Sequence, residues 1–391
     1  MRTIRDADLT GKRVLMRVDF NVPMDDEGHI TDDARIVAAL PTIKYILDQG
    51  GQLILMSHLG RPKGKRNEKL SLRPVAKHLE KLLNEPVQMA DDCIGPAVHE
   101  ALDHLNSGQI LMLENVRFYP EEEKNDPSFA ESLAMLADIY VNDAFGTAHR
   151  AHASTAGVAD FLPTYAGFLL EKEVQMLRQV LENPGSPKIA IMGGAKIKDK
   201  LGLVKNFLNK MDVLLLGGGM ANTFLKASGI DIGKSLYEPE LIDQAREILQ
   251  MAAEQQKEII LPVDVVVTAE IADGAEGQIV NVHEVPEDQM IVDIGPETVA
   301  IFSQKIATAQ TIIWNGPLGV YEQAAFARGT QEVAKAIAKA QAISVIGGGD
   351  SAAAIHDLGL EKEVTHISTG GGATLEFLEG IELPGVKVCE S

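Results

Sequence analysis

Short apolar runs alternate along the chain with longer stretches whose apolar residues recur every three to four positions. The runs are nearly continuous in Val, Ile and Leu, which is typical of strands covered on both faces. The stretches between them predict helices, so the pattern indicates an α/β fold of parallel sheets with right-handed crossovers. The predicted strands lie at residues 14–19, 53–57, 110–114, 139–142, 188–192, 213–216, 259–262, 291–293, 312–314, 343–346 and 364–368.

A helix predicted at residues 168–181 separates the two halves of this pattern. It carries Leu170, Val174, Leu177 and Leu181 on one face and is followed by the breaker cluster NPGSP at 183–187. A helix between two α/β halves predicts a hinge lever. A second stripe, formed by Ile197, Leu201, Val204, Leu208 and Met211, predicts the first helix of the second half.

Composition fits a globular protein of two domains and excludes several classes. A chain of 391 residues exceeds the usual size of one domain, and its contents of 45% hydrophobic and 24% charged residues are ordinary. The formal charge of −20 and the pI of about 4.9 argue against a nucleic-acid binder, which needs a basic face. Cys93 and Cys389, the only cysteines, predict reduced thiols.

The chain carries no pattern of an export signal or a membrane span. The first residues, MRTIRDADLTGKR, lack an apolar core of signal-peptide length. No apolar run approaches the roughly 20 residues that a membrane span needs. We therefore expect a cytoplasmic protein with neither a membrane nor a nucleic acid as partner.

Basic and polar residues follow several predicted strands of the first half, at the edge where open α/β sheets bind ligands. Each of them alone is also explained as a turn former or a solvated surface charge. Their accumulation in an acidic protein favours an anion site, since arginine grips anionic oxygens with a planar fork. His149 and His152 have no evident third ligand and do not predict a metal site. The candidates are Asp19, Asn21, Arg35, His58, Arg61, Arg117 and Arg150.

Glycine loops follow the predicted strands of the second half, in IAIMGGAK (189–196), VLLLGGGMANT (213–223), SVIGGGDSA (344–352) and HISTGGGAT (366–374). Glycine lets backbone N–H groups approach the phosphates of a nucleotide. Lys196 and Lys200, four apart at a predicted helix start, share a face and favour a bound anion there. Asp350 is explained as a helix cap or a magnesium ligand, and Glu322 as a solvated acid or a ribose ligand.

Two further motifs are incomplete. SGIDIGKS (228–235) resembles a P-loop, but its first glycine, Gly229, stands one position late. Gly347, Gly349 and Ala352 fit a dinucleotide fingerprint, yet no acidic residue follows about twenty positions on. An anion site in the first half and a nucleotide site in the second half favour phosphoryl transfer, so an NAD-dependent oxidoreductase is the weaker alternative.

The ordered set of motifs resembles the phosphoglycerate kinase family from about Gly11 to Gly385. The matching segments are RVDFNVP, SHLGRP, VNDAFGTAHRAH, GGAKIKDK, NGPLGV, IGGGDSA and STGGGA. The resemblance implies two doubly wound, Rossmann-like α/β domains joined by a hinge helix. It implies a phosphoglycerate domain at 1–167, a hinge helix and linker at 168–187, a nucleotide domain at 188–384, and a tail at 385–391 that returns to the first domain.

The resemblance also implies a reaction and its ligands. The reaction is reversible phosphate exchange between 1,3-bisphosphoglycerate and ADP, giving 3-phosphoglycerate and ATP, in a glycolytic enzyme that is expected to be monomeric. The basic-loop candidates would bind phosphoglycerate, and Asp350 would hold Mg²⁺ of the nucleotide complex. The nucleotide ligands would be Gly194, Ala195, Lys196, Lys200, Gly218, Gly219, Pro317, Glu322, Gly348, Gly349, Asp350 and Ser351.

The chemistry of this reaction explains why the sequence shows no catalytic dyad. The carboxylate nucleophile of the reverse reaction is already ionised at neutral pH, so no general base is needed. Catalysis then depends on alignment and charge neutralisation. The candidate catalytic residues are Arg35, Lys196, Lys200, Gly371 and Gly372. A non-catalytic nucleotide sensor of the same fold is the remaining alternative.

Overall fold

The computed structural model describes residues 1–183 and 185–391, so Pro184 of the breaker cluster lies outside the described residues. The chain divides into two units, each described separately. Unit 1 contains Met1–Gln175 and Glu382–Ser391, and unit 2 contains Met176–Ile381. Among the described residues, no helix has both the length and the apolar character needed to cross a bilayer.

Unit 1 is built on a six-stranded parallel sheet with strand order β3-β4-β2-β1-β5-β6. Its strands are β1 (Arg13–Arg17), β2 (Gln52–Met56), β3 (Val87–Met89), β4 (Ile110–Met112), β5 (Ile139–Asn142) and β6 (Thr164–Ala166). Because β1 lies between β2 and β5, the strand order reverses beside it. A reversal of this kind opens a crevice at the carboxyl ends of the strands.

Successive side chains of β1 point to opposite faces of this sheet, as its pleat requires. Val14 and Met16 pack in a core cluster with Ile43, whereas Leu15 packs in a second cluster with Leu133. Both faces are therefore covered by helices. This double cover explains why the strand segments are apolar without alternation.

Unit 2 contains a second six-stranded parallel sheet with order β15-β14-β13-β7-β8-β9, and its order reverses between β7 and β13. Its strands are β7 (Lys188–Met192), β8 (Val213–Leu216), β9 (Glu258–Ile260), β13 (Thr311–Asn315), β14 (Ile343–Gly347) and β15 (His366–Ile367). The predicted α/β class with two doubly wound parallel sheets is confirmed.

A separate antiparallel sheet in unit 2 corrects one prediction. It has the order β11-β10-β12, formed by β10 (Asp264–Thr268), β11 (Gln278–Asn281) and β12 (Met290–Ile294). The predicted strand 291–293 lies in this sheet, so its assignment to a parallel sheet was wrong. Strand β12 pairs with the neighbouring β10 in opposite direction, and an apolar run alone carries no information about direction.

The α-helices fill the connections between these strands. They are α1 (Ala34–Asp48), α2 (Arg73–Leu83), α3 (Pro96–Asp103), α4 (Pro120–Glu123), α5 (Pro127–Ala134), α6 (Phe168–Glu182), α7 (Leu201–Lys210), α8 (Gly218–Ala227), α9 (Ile242–Glu254), α10 (Pro296–Thr308), α11 (Arg328–Lys339), α12 (Gly349–Asp357), α13 (Gly372–Leu378) and α14 (Pro384–Lys387). Helix α6 matches the predicted connecting helix, and the boundary between the units falls inside it, after Gln175.

The described residues also form short 3₁₀ helices at Ile4–Asp6, Glu68–Leu70, Val116–Phe118, Phe145–Thr147, Gly157–Asp160, Lys198–Lys200, Pro239–Leu241, Val282–Glu284, Ala324–Phe326 and Glu361–Glu363.

Residues 382–391 pack within unit 1, and hydrogen bonds to described residues help to hold them there. Gly385 N donates to Ala148 O at 2.8 Å, and Asn142 Nδ2 donates to Gly385 O at 3.1 Å. Arg2 N donates to Cys389 O at 2.8 Å. The segment is thereby fixed against the loop that follows β5.

Candidate active site

Polar side chains join the ends of β1, β2 and β4 with the start of α1. Asn21 Oδ1 accepts a hydrogen bond from Gly60 N at 2.9 Å. Arg35 Nη1 donates to Asp19 Oδ1 at 3.3 Å and to Asn21 O at 2.9 Å. Arg117 Nη1 donates to Gly60 O at 3.2 Å. The structure therefore brings together the predicted residues from these four segments.

Three arginines of unit 1 keep hydrogen-bonding capacity for a ligand. The side chains of Arg61 and Arg150 are exposed and form no hydrogen bond or ion pair with the described residues. Arg117 Nε is buried and has no hydrogen-bond partner within 1–183 and 185–391; it lies 3.8 Å from Glu123 Oε1. A buried guanidinium nitrogen without a partner is costly, so an anionic oxygen would satisfy it.

His58 is buried and lies beside Arg17. Its Nδ1 is 3.0 Å from Arg17 Nη2, and both side chains are buried. Burial and then the charge of Arg17 lower the pKa of His58 well below its usual value. Burial, followed by nearby arginines, lowers the pKa of His152 to about 4. The histidines therefore add hydrogen-bonding groups without adding charge.

The loops after β7 and β13 in unit 2 pack backbone against backbone. A side chain at Gly193 would place its first carbon 1.9 Å from Pro317 O, so this position requires glycine. Gly194 has a φ of +106° and donates its N–H to Pro317 O at 2.9 Å. This close approach holds the two loops together where the strand order of the sheet reverses.

A cavity of about 270 Å³ opens beside these loops in unit 2. Gly194, Ala195, Gly218, Gly219, Pro317, Glu322 and Asp350, all predicted nucleotide ligands, line it. Its other walls are largely apolar, as is usual for small-molecule and cofactor sites. The apolar lining residues are Leu236, Pro262, Val265, Ile271, Met290, Ile291, Val292, Ile294, Leu318 and Val320.

Lys200 is held at the end of β7. Its Nζ donates to Gly193 O at 2.7 Å, and a side chain at Gly316 would lie 2.7 Å from that nitrogen. Burial lowers the pKa of Lys200 to about 8, and the carboxylates of Asp350 and Asp199 oppose this shift. The ammonium group is thus partly desolvated and fixed in position.

Lys196 does not share a helical face with Lys200, so that prediction was wrong. Helix α7 begins at Leu201, after the 3₁₀ turn Lys198–Lys200. The backbone N–H of Ile197 donates to the carboxylate of Glu238, which is buried. Lys196 is exposed and forms no side-chain hydrogen bond or ion pair with the part of the chain that is described.

The first turn of α12 carries the predicted phosphate loop. Gly348 occupies the N-cap with a φ of +92°, and the cap has no side-chain hydrogen bond. The carboxylate of Asp350 is exposed and has no hydrogen-bond or ion-pair partner among the described residues, so it is not a helix cap. Ser351 is buried, and its Oγ accepts a hydrogen bond from Gly316 N at 2.8 Å. Its side chain therefore braces the neighbouring loop.

Gly371 and Gly372 lie where β15 leads into α13. Gly371 is the N-cap, with a φ of +53°, and Gly372 is the first helical residue. Both are exposed. The N–H groups of a first helical turn have no partner within the helix and can donate to an anion.

Asp350 fits the magnesium prediction by the chemistry of its donor atoms. Among the described residues, no group of three or more His, Cys, Asp or Glu side chains could hold a metal ion. Magnesium in a nucleotide complex needs only one or two protein carboxylates, because phosphates and waters supply the other oxygens. The exposed carboxylate beside the cavity meets that requirement.

Two parts of the site were missed in the sequence. The apolar cavity wall comes largely from β12 and its neighbouring loops, whose role depends on tertiary packing. Arg17 was missed as well, although a charged residue inside the apolar run VLMRV is itself a signal of burial.

Asp293 also lines the cavity. Its Oδ2 accepts a hydrogen bond from Gly329 N at 2.8 Å, and burial raises its pKa to about 7.

Two doubly wound parallel sheets, with basic loops in one unit and a glycine-lined cavity in the other, are typical of α/β enzymes that act on anionic and nucleotide ligands. A family model described as phosphoglycerate kinase matches residues 4–381. The chain belongs to the phosphoglycerate kinase family. It is therefore an enzyme, a phosphotransferase with a carboxyl group as acceptor. The oxidoreductase alternative is thereby set aside.

Relatives match over nearly the whole chain. The phosphoglycerate kinase of Dictyoglomus turgidum is 56% identical over 388 residues, covering 99% of this chain and 98% of the relative. That of Moorella thermoacetica is 55% identical over 384 residues, covering 98% of each. The solved structure of phosphoglycerate kinase from Coxiella burnetii superposes with a TM-score of 0.91 at 45% identity, covering 99% of this chain and 98% of that one.

Proposed function

We propose that the protein catalyses reversible phosphoryl transfer between 1,3-bisphosphoglycerate and ADP, giving 3-phosphoglycerate and ATP. One observation carries the proposal: a set of basic residues in unit 1 and a glycine-lined cavity with a fixed lysine in unit 2 each lie at the carboxyl edge of a parallel sheet. An anionic acid and a nucleotide are the ligands that these two sites suit.

In unit 1, phosphoglycerate binds to the basic-loop residues. Arg61 and Arg150 have unpaired guanidinium groups among the described residues, and Arg117 has an unsatisfied Nε. His58 contributes a neutral ring. The proposed ligands are Asp19, Asn21, Arg35, His58, Arg61, Arg117 and Arg150.

In unit 2, the nucleotide binds in the cavity and along the glycine loops. The apolar wall suits the purine ring, and exposed Glu322 suits the ribose hydroxyls. Lys200 and Ser351 of α12 contact the loops after β7 and β13, and with exposed Lys196 they suit the phosphates. The proposed ligands are Gly194, Ala195, Lys196, Lys200, Gly218, Gly219, Pro317, Glu322, Gly348, Gly349, Asp350 and Ser351.

Asp350 would hold the Mg²⁺ of the nucleotide complex. When bound, the ion supplies positive charge to the phosphate oxygens. The residues of the chain supply the rest: the glycine loops orient the phosphates with backbone N–H groups, and Lys200 places an ammonium group at a fixed position.

The transfer is direct and needs no general base, because the acceptor carboxylate is already ionised. Arg35, Lys196, Lys200, Gly371 and Gly372 stabilise the negative charge of the transferring group. Since the two ligands bind different units, the units close before in-line transfer, and closure excludes water that would hydrolyse the acyl phosphate.

This function gives the chain its proposed organisation. Residues 1–167 and 385–391 form the phosphoglycerate domain, 168–187 the hinge helix and linker, and 188–384 the nucleotide domain. We place the enzyme in the cytoplasm as a monomer that serves glycolysis and gluconeogenesis.

A coupled assay tests the proposal. The protein is supplied with ATP, magnesium and 3-phosphoglycerate, and formation of the acyl phosphate is followed by a reductive coupling enzyme. Turnover that requires all three components supports the proposal. ATP binding in calorimetry without any turnover would instead support a nucleotide sensor.

A further inference from the structure

A buried polar chain runs beneath the basic loops of unit 1. Arg17, the last residue of β1, is fully buried. Its Nε donates to Ser154 Oγ at 2.8 Å, its Nη2 lies 3.0 Å from His58 Nδ1, and its Nη1 donates to the carbonyl oxygen of Val18. The guanidinium is thus bonded on three sides.

The counter-charge of this buried cation is Glu122, which is also fully buried. Glu122 Oε1 accepts from Ser154 N at 2.7 Å, and Oε2 accepts from Ser154 Oγ at 2.5 Å. Glu122 forms no ion pair with any described residue. Its carboxylate therefore reaches Arg17 through the hydroxyl of Ser154.

We propose that Glu122 and Ser154 are positioning residues that hold Arg17 and thereby fix His58 in the tautomer with its proton on Nε2. The proposal extends the proposed function, since His58 is one of the proposed phosphoglycerate ligands. Neither Glu122 nor Ser154 needs to touch the substrate for this role.

The tautomer follows from the donor inventory. Arginine offers only donors and stays charged in proteins, so the contact with Arg17 requires His58 Nδ1 to accept. A neutral ring that accepts at Nδ1 carries its proton on Nε2. Burial and the charge of Arg17 also lower the pKa of His58, which keeps the ring neutral. The ring can then donate to an anionic oxygen at Nε2.

Glu122 is needed because a buried cation without a compensating charge is strongly unfavourable. Its carboxylate also sets the direction of the chain of hydrogen bonds. Both its oxygens accept from Ser154, so the hydroxyl proton points toward Glu122 and the lone pairs of Oγ face Arg17. An amide in place of the carboxylate would present a donor and disturb this order.

The test is the tautomer of His58 in the full chain without substrate, read from the ¹⁵N chemical shifts of its imidazole. A His58→Gln variant assigns the signals. We expect the wild type to show two widely separated shifts, with Nδ1 at the position of an unprotonated ring nitrogen and Nε2 at that of a protonated one; the reverse assignment overturns the proposal. Glu122→Gln and Ser154→Ala should move the two shifts toward each other, because Arg17 is no longer held. Glu114→Gln, a buried acid with separate partners, is the matched control and should leave them unchanged.

Kinetics give the second readout. The KM for 3-phosphoglycerate should rise about tenfold in Glu122→Gln and Ser154→Ala, as expected for one disturbed buried hydrogen bond, with the KM for ATP unchanged. Ser154→Ala keeps both charges, so it tests the proposal if Glu122→Gln does not fold. Unchanged imidazole shifts in the folded variants overturn the proposal. If the wild type shows no turnover, the proposed function fails while the tautomer measurement still decides this inference.

Discussion

Lys200 Nζ donates a hydrogen bond to the carbonyl oxygen of Gly193 at 2.7 Å, which fixes the ammonium group at the end of β7 in the ligand-free chain. Because this bond already orders the side chain, Lys200 would lose less conformational entropy than a free lysine on binding an anion. Lys200 is also largely buried, and burial lowers its pKa to about 8. The charge of this residue is therefore sensitive to pH in a range where kinases are assayed.

Nucleotide affinity should fall as the pH rises through about 8, because deprotonation of Lys200 removes a positive charge that we propose binds the phosphates. The Kd for ADP, measured calorimetrically between pH 6.5 and 9.5, should show this weakening. Lys200→Met should bind ADP less tightly and lose the inflection, whereas Lys196→Met should retain it. An unchanged inflection in Lys200→Met contradicts the assignment.

Arg35→Ala should lower kcat by about 10³-fold, the magnitude known for arginines that stabilise a transferring phosphoryl group. The KM for 3-phosphoglycerate should change much less. Steady-state kinetics in both substrates measure the two effects. Lys44→Ala, which removes an exposed charge from the same helix, is the control. If KM rises while kcat holds, Arg35 only binds substrate.

Asp143 should make unit 1 less stable as the pH rises toward 7. Its carboxyl is buried and accepts N–H bonds from Leu169 and Leu170 at the start of α6, and burial raises its pKa to about 7. The folded state therefore holds this proton more tightly than the unfolded state. The associated stability is present below pH 3.8 and is lost as the pH rises through about 7.

Asp143→Asn removes this proton linkage. The difference in unfolding free energy between wild type and variant should change by about 1.4 kcal/mol per pH unit between the two pKa values. Urea unfolding followed by circular dichroism at several pH values measures it. The unfolding free energy of Asp160→Asn, a change at an exposed acid of the same unit, should vary with pH in parallel with that of the wild type. A parallel curve for Asp143→Asn would refute the linkage.

Gly385→Ala should destabilise unit 1 by about 1–3 kcal/mol, the usual cost of overpacking. The added carbon would lie 2.8 Å from Ala148 Cα and 2.9 Å from Asn142 Nδ2. Since Ala148 lies two residues before Arg150, the KM for 3-phosphoglycerate should also rise. Lys387→Ala, an exposed change in the same segment, should have little effect. Equal melting temperatures for Gly385→Ala and wild type would count against this packing.

Closure of the units should shrink the radius of gyration when both substrates are present. Small-angle scattering compares the ligand-free protein, each substrate alone and the pair, with the largest decrease expected for the pair. A radius that does not change with both substrates bound would argue against hinge closure.

The sequence predicted most accurately the strands that form continuous apolar runs. Residues 139–142, 188–192 and 213–216 match β5, β7 and β8 at both ends. The short strand β3 was missed because Val87–Met89 is too brief and too exposed to show an apolar run. The hydrophobic pattern also could not predict that β12 is antiparallel, since pairing direction depends on the partner strand.

The candidate site shows the same limit at the level of single residues. The start of α7 was misplaced because the apolar stripe from Ile197 does not distinguish the 3₁₀ turn Lys198–Lys200 from the helix that begins at Leu201. Glu122 was not predicted because a charged residue is expected at the surface, and only the fold shows its burial. Arg17 was missed although its position in an apolar run indicated burial. Motif matching therefore located the loops, while the contacts that order them required the structure.

The segment 382–391 belongs to unit 1, although the ribosome makes it after the whole of unit 2. Residues 176–381 are contiguous and can fold as soon as they emerge, since domains generally fold as units during synthesis. The contacts of residues 382–391 with the loop after β5 can form only after unit 2 has been made. Translation therefore completes the earlier-made half of this enzyme last, and the nascent chain carries an unfinished first unit through most of its synthesis.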